Sequence, residues 1–250
     1  MSALVKLDIN EGNWQSEART DYRKASPVFV ILRGLVRLLL NTLFRIEVRG
    51  LENLPREGGY IFAGNHLSWL DPFLMLTMAP ASPRIHFLGA KENMETSKFR
   101  KYLTEEVGGV IPVRRGTANA YREIAGQIDK VLSGGGVLGI FPEGTVSETE
   151  TGKLLPFKKG IGYFAAHSGM PIVPVAFSGT KEPWLGKRIV MVIGKPVSGQ
   201  QGGREVAEQL TAQTVAAIQE LLPAPQAVDP NSPKLLKNFF TNLFIDSKNK

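Results

Sequence analysis

Residues 27–44, PVFVILRGLVRLLLNTLF, form the longest apolar run in the chain, and their polar positions step by four: Arg33, Arg37 and Asn41, with Arg45 next. That spacing drifts slowly along one side of a helix and leaves the rest of its surface apolar. At about 1.5 Å per residue, such a helix would almost reach across a bilayer. The two arginines oppose spanning, since each costs roughly 2.5–3.5 kcal/mol near the bilayer centre. Lying in the interface avoids the cost, because the guanidiniums face headgroups while the aliphatic face sinks. A helix packed on a domain with its arginines in water satisfies the same pattern. The pattern alone leaves both open.

The C-terminus repeats the theme. A Pro-rich linker, LPAPQAVDPNSP at 222–233, precedes KLLKNFFTNLFI. Leu235, Leu236, Phe239, Phe240, Leu243 and Phe244 recur in adjacent pairs every four residues, on one helical face flanked by Lys234 and Lys237. This segment is read as a second interfacial anchor or as a terminal helix docked on the domain.

Between these ends the period changes. YIFAGNH (60–66), RIHFLGA (84–90), GVIPVRR (109–115), VLGIFPE (137–143), PIVPVAFSG (171–179) and RIVMVIGKPV (188–197) read as buried strands. Helices are expected over 72–79, 95–106, 118–132, 160–168 and 203–222. The alternation predicts an α/β sheet with helices on its faces. The chain then divides into a polar lead-in (1–26), an amphipathic interface helix (27–45), an α/β domain (46–222), a linker (223–233) and an amphipathic C-terminal segment (234–250). In such sheets ligands sit beyond the C-terminal ends of strands. Polar clusters fall at those places, after IFAGN, VIPV and LGIF.

Composition narrows the chemistry. Hydrophobic residues make up 43% of the 250, enough for a real core. There is no cysteine, so disulfides, thiolate nucleophiles and cysteine-based zinc sites are excluded. His66, His86 and His167 lie far apart and lack metal-ligand spacing, so no metal is expected. The net charge of +7 and pI near 9.6 favour anionic partners. The basic residues are scattered and no nucleic-acid-binding signature accompanies them, which sets nucleic acid aside. The first 26 residues are polar and mixed in charge, with no secretory signal, so a cytoplasmic location is expected.

The stretch NHLSWLDP (65–72) concentrates the candidate chemistry. Asp71 before Pro72 reads as a helix N-cap with proline at the first helical position. On one continuous helix, His66 and Asp71 would point about 140° apart. In a strand-to-helix turn they can meet, and a carboxylate on one ring nitrogen leaves the other free as a base. Ser68 lacks the Gly-x-Ser-x-Gly context of a nucleophile elbow, so loop hydrogen bonding or helix capping is its expected role. Arg114 and Arg115 end a strand beside a helix start near Thr117, an arrangement suited to phosphate. Glu143, Gly144 and Thr145 combine an acceptor, a close-approach backbone and a hydroxyl. Lys158 and Lys159 precede another helix and read equally as an anion site or a solvated pair.

These blocks, in order, resemble the glycerolipid acyltransferase family typified by 1-acylglycerol-3-phosphate (lysophosphatidate) acyltransferases. The resemblance rests on Asn65-His66-x-x-x-x-Asp71, the strand VIPVRR, Phe141-Pro-Glu-Gly-Thr145, FKKG and MPIVPV, and spans about residues 45–200. It implies an α/β fold with a mixed central sheet flanked by helices. It also implies transfer of an acyl chain from a thioester of coenzyme A or acyl-carrier protein to the hydroxyl of 1-acylglycerol 3-phosphate, with no further cofactor. His66 would be the general base, Asp71 its orienter and Ser68 a bystander. Arg115 would hold the phosphate. Asn65, Arg114, Glu143, Gly144, Thr145, Lys158 and Lys159 would line the substrate site. The bilayer's anionic surface and a lysophospholipid become the implied partners, with the protein peripheral or monotopic on the cytoplasmic side. One departure stands out: the family's third block usually continues Glu-Gly-Thr-Arg-Ser, whereas Val146 replaces the arginine here. Another lysophospholipid or glycerol 3-phosphate is the alternative acceptor, and a lipid esterase and a non-catalytic lipid-binding protein are the rival readings.

Overall fold

The computed structural model describes residues 21–90, 109–113, 120–147, 150–223 and 233–244. The chain runs α1 (Pro27–Leu43), β1 (Arg45–Arg49), β2 (Tyr60–Gly64), α2 (Leu70–Met78), β3 (Ile85–Ala90) and β4 (Val110–Val113). It continues through α3 (Ala120–Ser133), β5 (Val137–Ile140), α4 (Gly160–Ser168), β6 (Ile172–Ser178), β7 (Arg188–Ile193), α5 (Arg204–Leu221) and α6 (Lys237–Phe244). The helix expected over 95–106 lies outside the described residues.

The strands form one mixed sheet in the order β1-β7-β6-β2-β5-β3-β4. All neighbours are parallel except β6 and β7. The central strands β2 and β6 are buried along their whole length, because helices cover both faces of the sheet. Their side chains alternate between two cores. Tyr60 and Phe62 of β2 pack on the side that holds α1, α2 and α6. Ile61 and Ala63 pack on the side that holds α3, α4 and α5. On that second side α4 closes tightly on α5, because a Cβ at Gly162 would strike the Ala207 carbonyl.

All six apolar runs became strands. A seventh, β1, has the sequence RIEVR, in which charged and apolar residues alternate. It forms the sheet edge, pairing with β7 alone, and Glu47 bonds Arg188 across the pair at 3.0 Å. A search for continuous apolar runs passes over such an edge strand, whose signal is strict period two.

The amphipathic run at 27–44 lies on the domain. Phe29 and Leu40 are buried, while Val28, Ile31, Leu35, Leu38 and Leu39 form an exposed stripe on the opposite side, with Leu38 67% exposed. The arginines were expected to face outward, and Arg33 does not. Its Nε donates to the Leu76 carbonyl at 2.9 Å and its Nη2 to the Ala79 carbonyl, so a cation closes the C-terminal end of α2. No described helix is long and apolar enough to cross a membrane. The C-terminal segment also returns to the body: Phe240 is buried and meets the Phe44 ring edge-on at 5.1 Å.

Candidate active site

His66 leaves the C-terminal end of β2, and Asp71 lies in the first turn of α2. The helix starts at Leu70 rather than Pro72, with Trp69 at its cap position and no side-chain capping bond from it. The reason is local. Asp71 Oδ2 turns back to accept the N–H groups of Leu67 at 2.6 Å and Ser68 at 2.8 Å. The Ser68 hydroxyl accepts from Leu70 N–H at 3.1 Å. These bonds fold the loop into a tight turn, so the backbone enters the helix two residues early and Asp71 is an internal anchor instead of the N-cap.

The same Oδ2 lies 3.0 Å from His66 Nδ1. It already accepts two backbone N–H bonds, so the ring nitrogen facing it is the one that carries a proton. Among the described residues no group bonds Nε2, which leaves that nitrogen as the acceptor. Asp71 is fully buried, and its other oxygen accepts from the Thr180 hydroxyl at 2.6 Å. The imidazole is held from below by Phe141, nearly parallel at 4.2 Å, and edge-on by Trp69 at 6.1 Å.

Three parallel strand ends supply this arrangement: His66 after β2, Phe141 and Glu143 after β5, and Thr180 after β6. Glu143 Oε1 accepts the His66 backbone N–H at 3.0 Å. Its Oε2 accepts from Ser147 Oγ at 3.2 Å and Leu155 N–H at 3.1 Å. Ser147 N–H in turn donates to the His66 carbonyl at 2.7 Å. Burial raises the Glu143 carboxyl above its ordinary range, against these stabilising hydrogen bonds and the nearby His66. The carboxylate points inward, so Glu143 positions His66.

The other expected site residues separate into groups. Asn65 is buried and clamps the backbone of Phe177, donating to its carbonyl at 3.1 Å and accepting its N–H at 2.7 Å. It ties β2 to β6 with its whole amide. Ser68 is fully buried and its oxygen serves the helix start. Gly144 has φ +69°, a left-handed conformation, and a Cβ there would collide with Lys158 Cε and Nζ. The exposed Lys158 therefore arches over the Glu143–Thr145 turn, aided by its N–H bond to the Pro142 carbonyl at 2.8 Å. Thr145 is exposed on the same turn. Lys159 diverges: it starts α4, and its charge reaches Glu208 of α5. Arg114 and Arg115 lie outside the described residues.

Sequence reasoning missed Thr180, the supporting role of Phe141, Ser147 and Lys181. Lys181 Nζ donates to the Ser147 carbonyl, one residue along the chain from Val146. Thr180 could have been found, because it is the first hydroxyl beyond the end of β6. Backbone N–H groups near His66 and Gly144 are natural partners for an oxyanion. Those of His66, Leu67, Ser68 and Gly144 are each bonded internally. Among the described residues, no cluster of three His, Asp or Glu side chains could hold a metal. The arrangement can take a proton at Nε2 from a hydroxyl and return it to a leaving group.

Comparison with known proteins finds similar sequences and a similar fold. The family model described as acyltransferase matches residues 45–178. A Saccharomyces cerevisiae protein named 1-acyl-sn-glycerol-3-phosphate acyltransferase is 30% identical over 199 residues, covering 75% of this chain and 64% of that protein. A Bacillus subtilis protein of the same name is 27% identical, covering 65% of this chain and 78% of its own. A chloroplastic Brassica napus protein of that activity is 29% identical over 55% of this chain and only 38% of its own length. The match thus spans less than two thirds of the Brassica and yeast relatives. The crystal structure of a Thermotoga maritima 1-acyl-sn-glycerophosphate acyltransferase superposes with a TM-score of 0.59, at 24% identity and 78% coverage of both chains. That likeness is one of fold.

Proposed function

The chain belongs to the acyltransferase family, whose model covers residues 45–178, and from that premise we propose that it moves a fatty acyl group from a thioester to 1-acylglycerol 3-phosphate, giving phosphatidic acid. The observation that carries the reading is the buried carboxylate of Asp71, 3.0 Å from Nδ1 of a histidine whose Nε2 bonds no group among the described residues. The activity for which the yeast and Bacillus subtilis relatives are named supports the acceptor.

In this mechanism the acceptor hydroxyl gives its proton to His66 Nε2 while its oxygen attacks the thioester carbonyl. The tetrahedral intermediate collapses, the C–S bond breaks, and the thiolate takes the proton back from His66. Asp71 fixes the ring and stabilises the imidazolium. Coenzyme A or acyl-carrier protein is the proposed donor carrier. Lys158, above the Gly144 turn, is proposed to meet the phosphate together with Arg114 and Arg115. Thr145 offers the same turn a hydroxyl. An esterase reading through Ser68 is disfavoured, because that hydroxyl is fully buried and accepts the Leu70 N–H.

The substrate is itself a membrane lipid. The exposed stripe on α1 gives the protein an apolar face, and the chain's charge of +7 suits an anionic surface. We place it on the cytoplasmic side as a peripheral or monotopic protein. The test is an acceptor panel of lysophosphatidate, glycerol 3-phosphate and other lysophospholipids, each with both thioester carriers. Thiol release with formation of a two-chain phosphate lipid is expected for lysophosphatidate. Preference for another acceptor would move the assignment to that lipid, and Val146 would then be the residue to examine first. Absence of transfer to every acceptor would refute the reading.

A further inference from the structure

Helix α6 touches the His66 loop directly. The Trp69 backbone N–H, between His66 and Asp71, donates to the Phe244 carbonyl at 2.9 Å. The rest of the segment is fastened to the loop before β7 and to the end of α1. Leu185 N–H donates to the Leu235 carbonyl at 2.9 Å, and Lys237 pairs with Glu182 at 2.9 Å. Lys234 lies over the Trp184 ring at 5.6 Å, and Phe240 is only 2% exposed against Phe44.

The fastening is one-sided. Leu235, Leu236, Phe239 and Leu243 are each 54–60% exposed. Leu236 takes a left-handed backbone, φ +59°, which few non-glycine residues adopt. An eight-residue helix is too short to hold itself in water, where isolated helices need about 12–15 residues to be even marginal. The stability of α6, and of the bond at its last residue, therefore depends on what packs against it from both sides. The inner side has Phe240. Among the described residues, nothing packs on the outer side.

We propose that a lipid surface covers the outer face of α6 and thereby tightens the Phe244–Trp69 bond, making residues 233–244 a lipid-loaded brace on the His66–Asp71 loop. Phe244 acts as a positioning residue through its carbonyl. Three observations select lipid as the occupant. The exposed Trp69 and Phe73 stand at the start of α2, so the apolar surface continues toward the His66 loop. The bare stripe of α1 belongs to a helix that packs on the same core as α2 and Phe240. The exposed Lys234 and Arg37 supply cations for an anionic surface. The choice of occupant rests on the acyltransferase reading, in which the acceptor arrives from a membrane.

The test uses the full chain and anionic phosphatidylglycerol vesicles that contain no acceptor. Hydrogen exchange is followed in the peptide containing Trp69 and in residues 233–244, and kcat and KM are measured with a monomeric short-chain acceptor. Vesicles should slow exchange in both segments and raise kcat about fivefold, the low end of typical coupling between sites, with little change in KM. In Phe239→Asp combined with Leu243→Asp, both responses should vanish while the protein still sediments with vesicles through α1. Unchanged Trp69 exchange in the unaltered protein, or an equal response in the variant, overturns the brace. A variant that no longer binds vesicles makes the segment an anchor, which also overturns it. If the exchange responses appear as described but no acceptor is acylated, the brace stands and the acyltransferase reading falls.

Discussion

Asp71 binds the His66 ring through the same oxygen that holds their loop together: Oδ2 is 3.0 Å from Nδ1 and also accepts the N–H groups of Leu67 and Ser68. Orientation of the base and folding of the turn are one interaction. Asp71→Asn keeps the shape and an acceptor oxygen but removes the charge that fixes the ring proton. Its kcat should fall by about 10²–10⁴-fold, the range typical of general acid–base work. Circular dichroism should show the fold retained. Steady-state thiol release measures the loss, and an unchanged rate would detach Asp71 from the chemistry.

Ser68→Ala separates capping from catalysis. The Leu70 N–H loses its acceptor, at a cost of about 0.5–2 kcal/mol. Denaturant unfolding should register that loss while kcat stays near that of the unaltered protein. A trapped acyl-serine in the unaltered protein, seen by mass spectrometry, would instead favour a covalent route.

Lys158 lies over Gly144 with its ammonium in solvent. For Lys158→Ala, the apparent KM for phosphorylated acceptors should rise roughly tenfold, the weight of one charge-assisted hydrogen bond at an exposed site. A neutral monoacylglycerol acceptor should be unaffected. Equal KM values for the two acceptor classes, before and after substitution, would remove Lys158 from the phosphate site.

His86 gives the fold an acid-sensitive point outside the His66–Asp71 pair. Burial, helped by nearby Arg84, lowers its pKa from 6.5 to about 4, while its Nε2 faces the Tyr22 carbonyl at 3.2 Å. A histidine with a depressed folded value adds stability above the unfolded value and loses it as pH falls toward the folded one. The interval is worth up to roughly 3 kcal/mol. His86→Gln keeps a donor for Tyr22 and cannot titrate. Its urea midpoint should therefore fall less between pH 7 and pH 4 than that of the unaltered protein. Parallel curves would mean that His86 is equally easy to protonate in both states.

The central sheet was legible because its strands are buried on both faces and so appear as apolar runs. β1 was not, because an edge strand carries its signal in alternation with Arg45, Glu47 and Arg49. The His66–Asp71 pairing was legible from a loop spacing that a continuous helix forbids. The inward role of Glu143 was not, since its three partners, at His66, Ser147 and Leu155, lie on separate stretches of chain. The clamp of Asn65 on Phe177 was not legible for a related reason: it joins residues 112 apart. The two amphipathic segments each carried a pattern that fits a docked helix and an interfacial one alike. Phe29, Leu40 and Phe240 dock them, and among the described residues nothing covers their opposite faces.

The most direct test of the account is thiol release from an acyl thioester in the presence of lysophosphatidate, comparing His66→Ala with the unaltered chain. The account predicts a fall of about 10²–10⁴-fold in kcat with the thermal midpoint little changed. A folded His66→Ala protein that transfers acyl groups at a near-normal rate would contradict it.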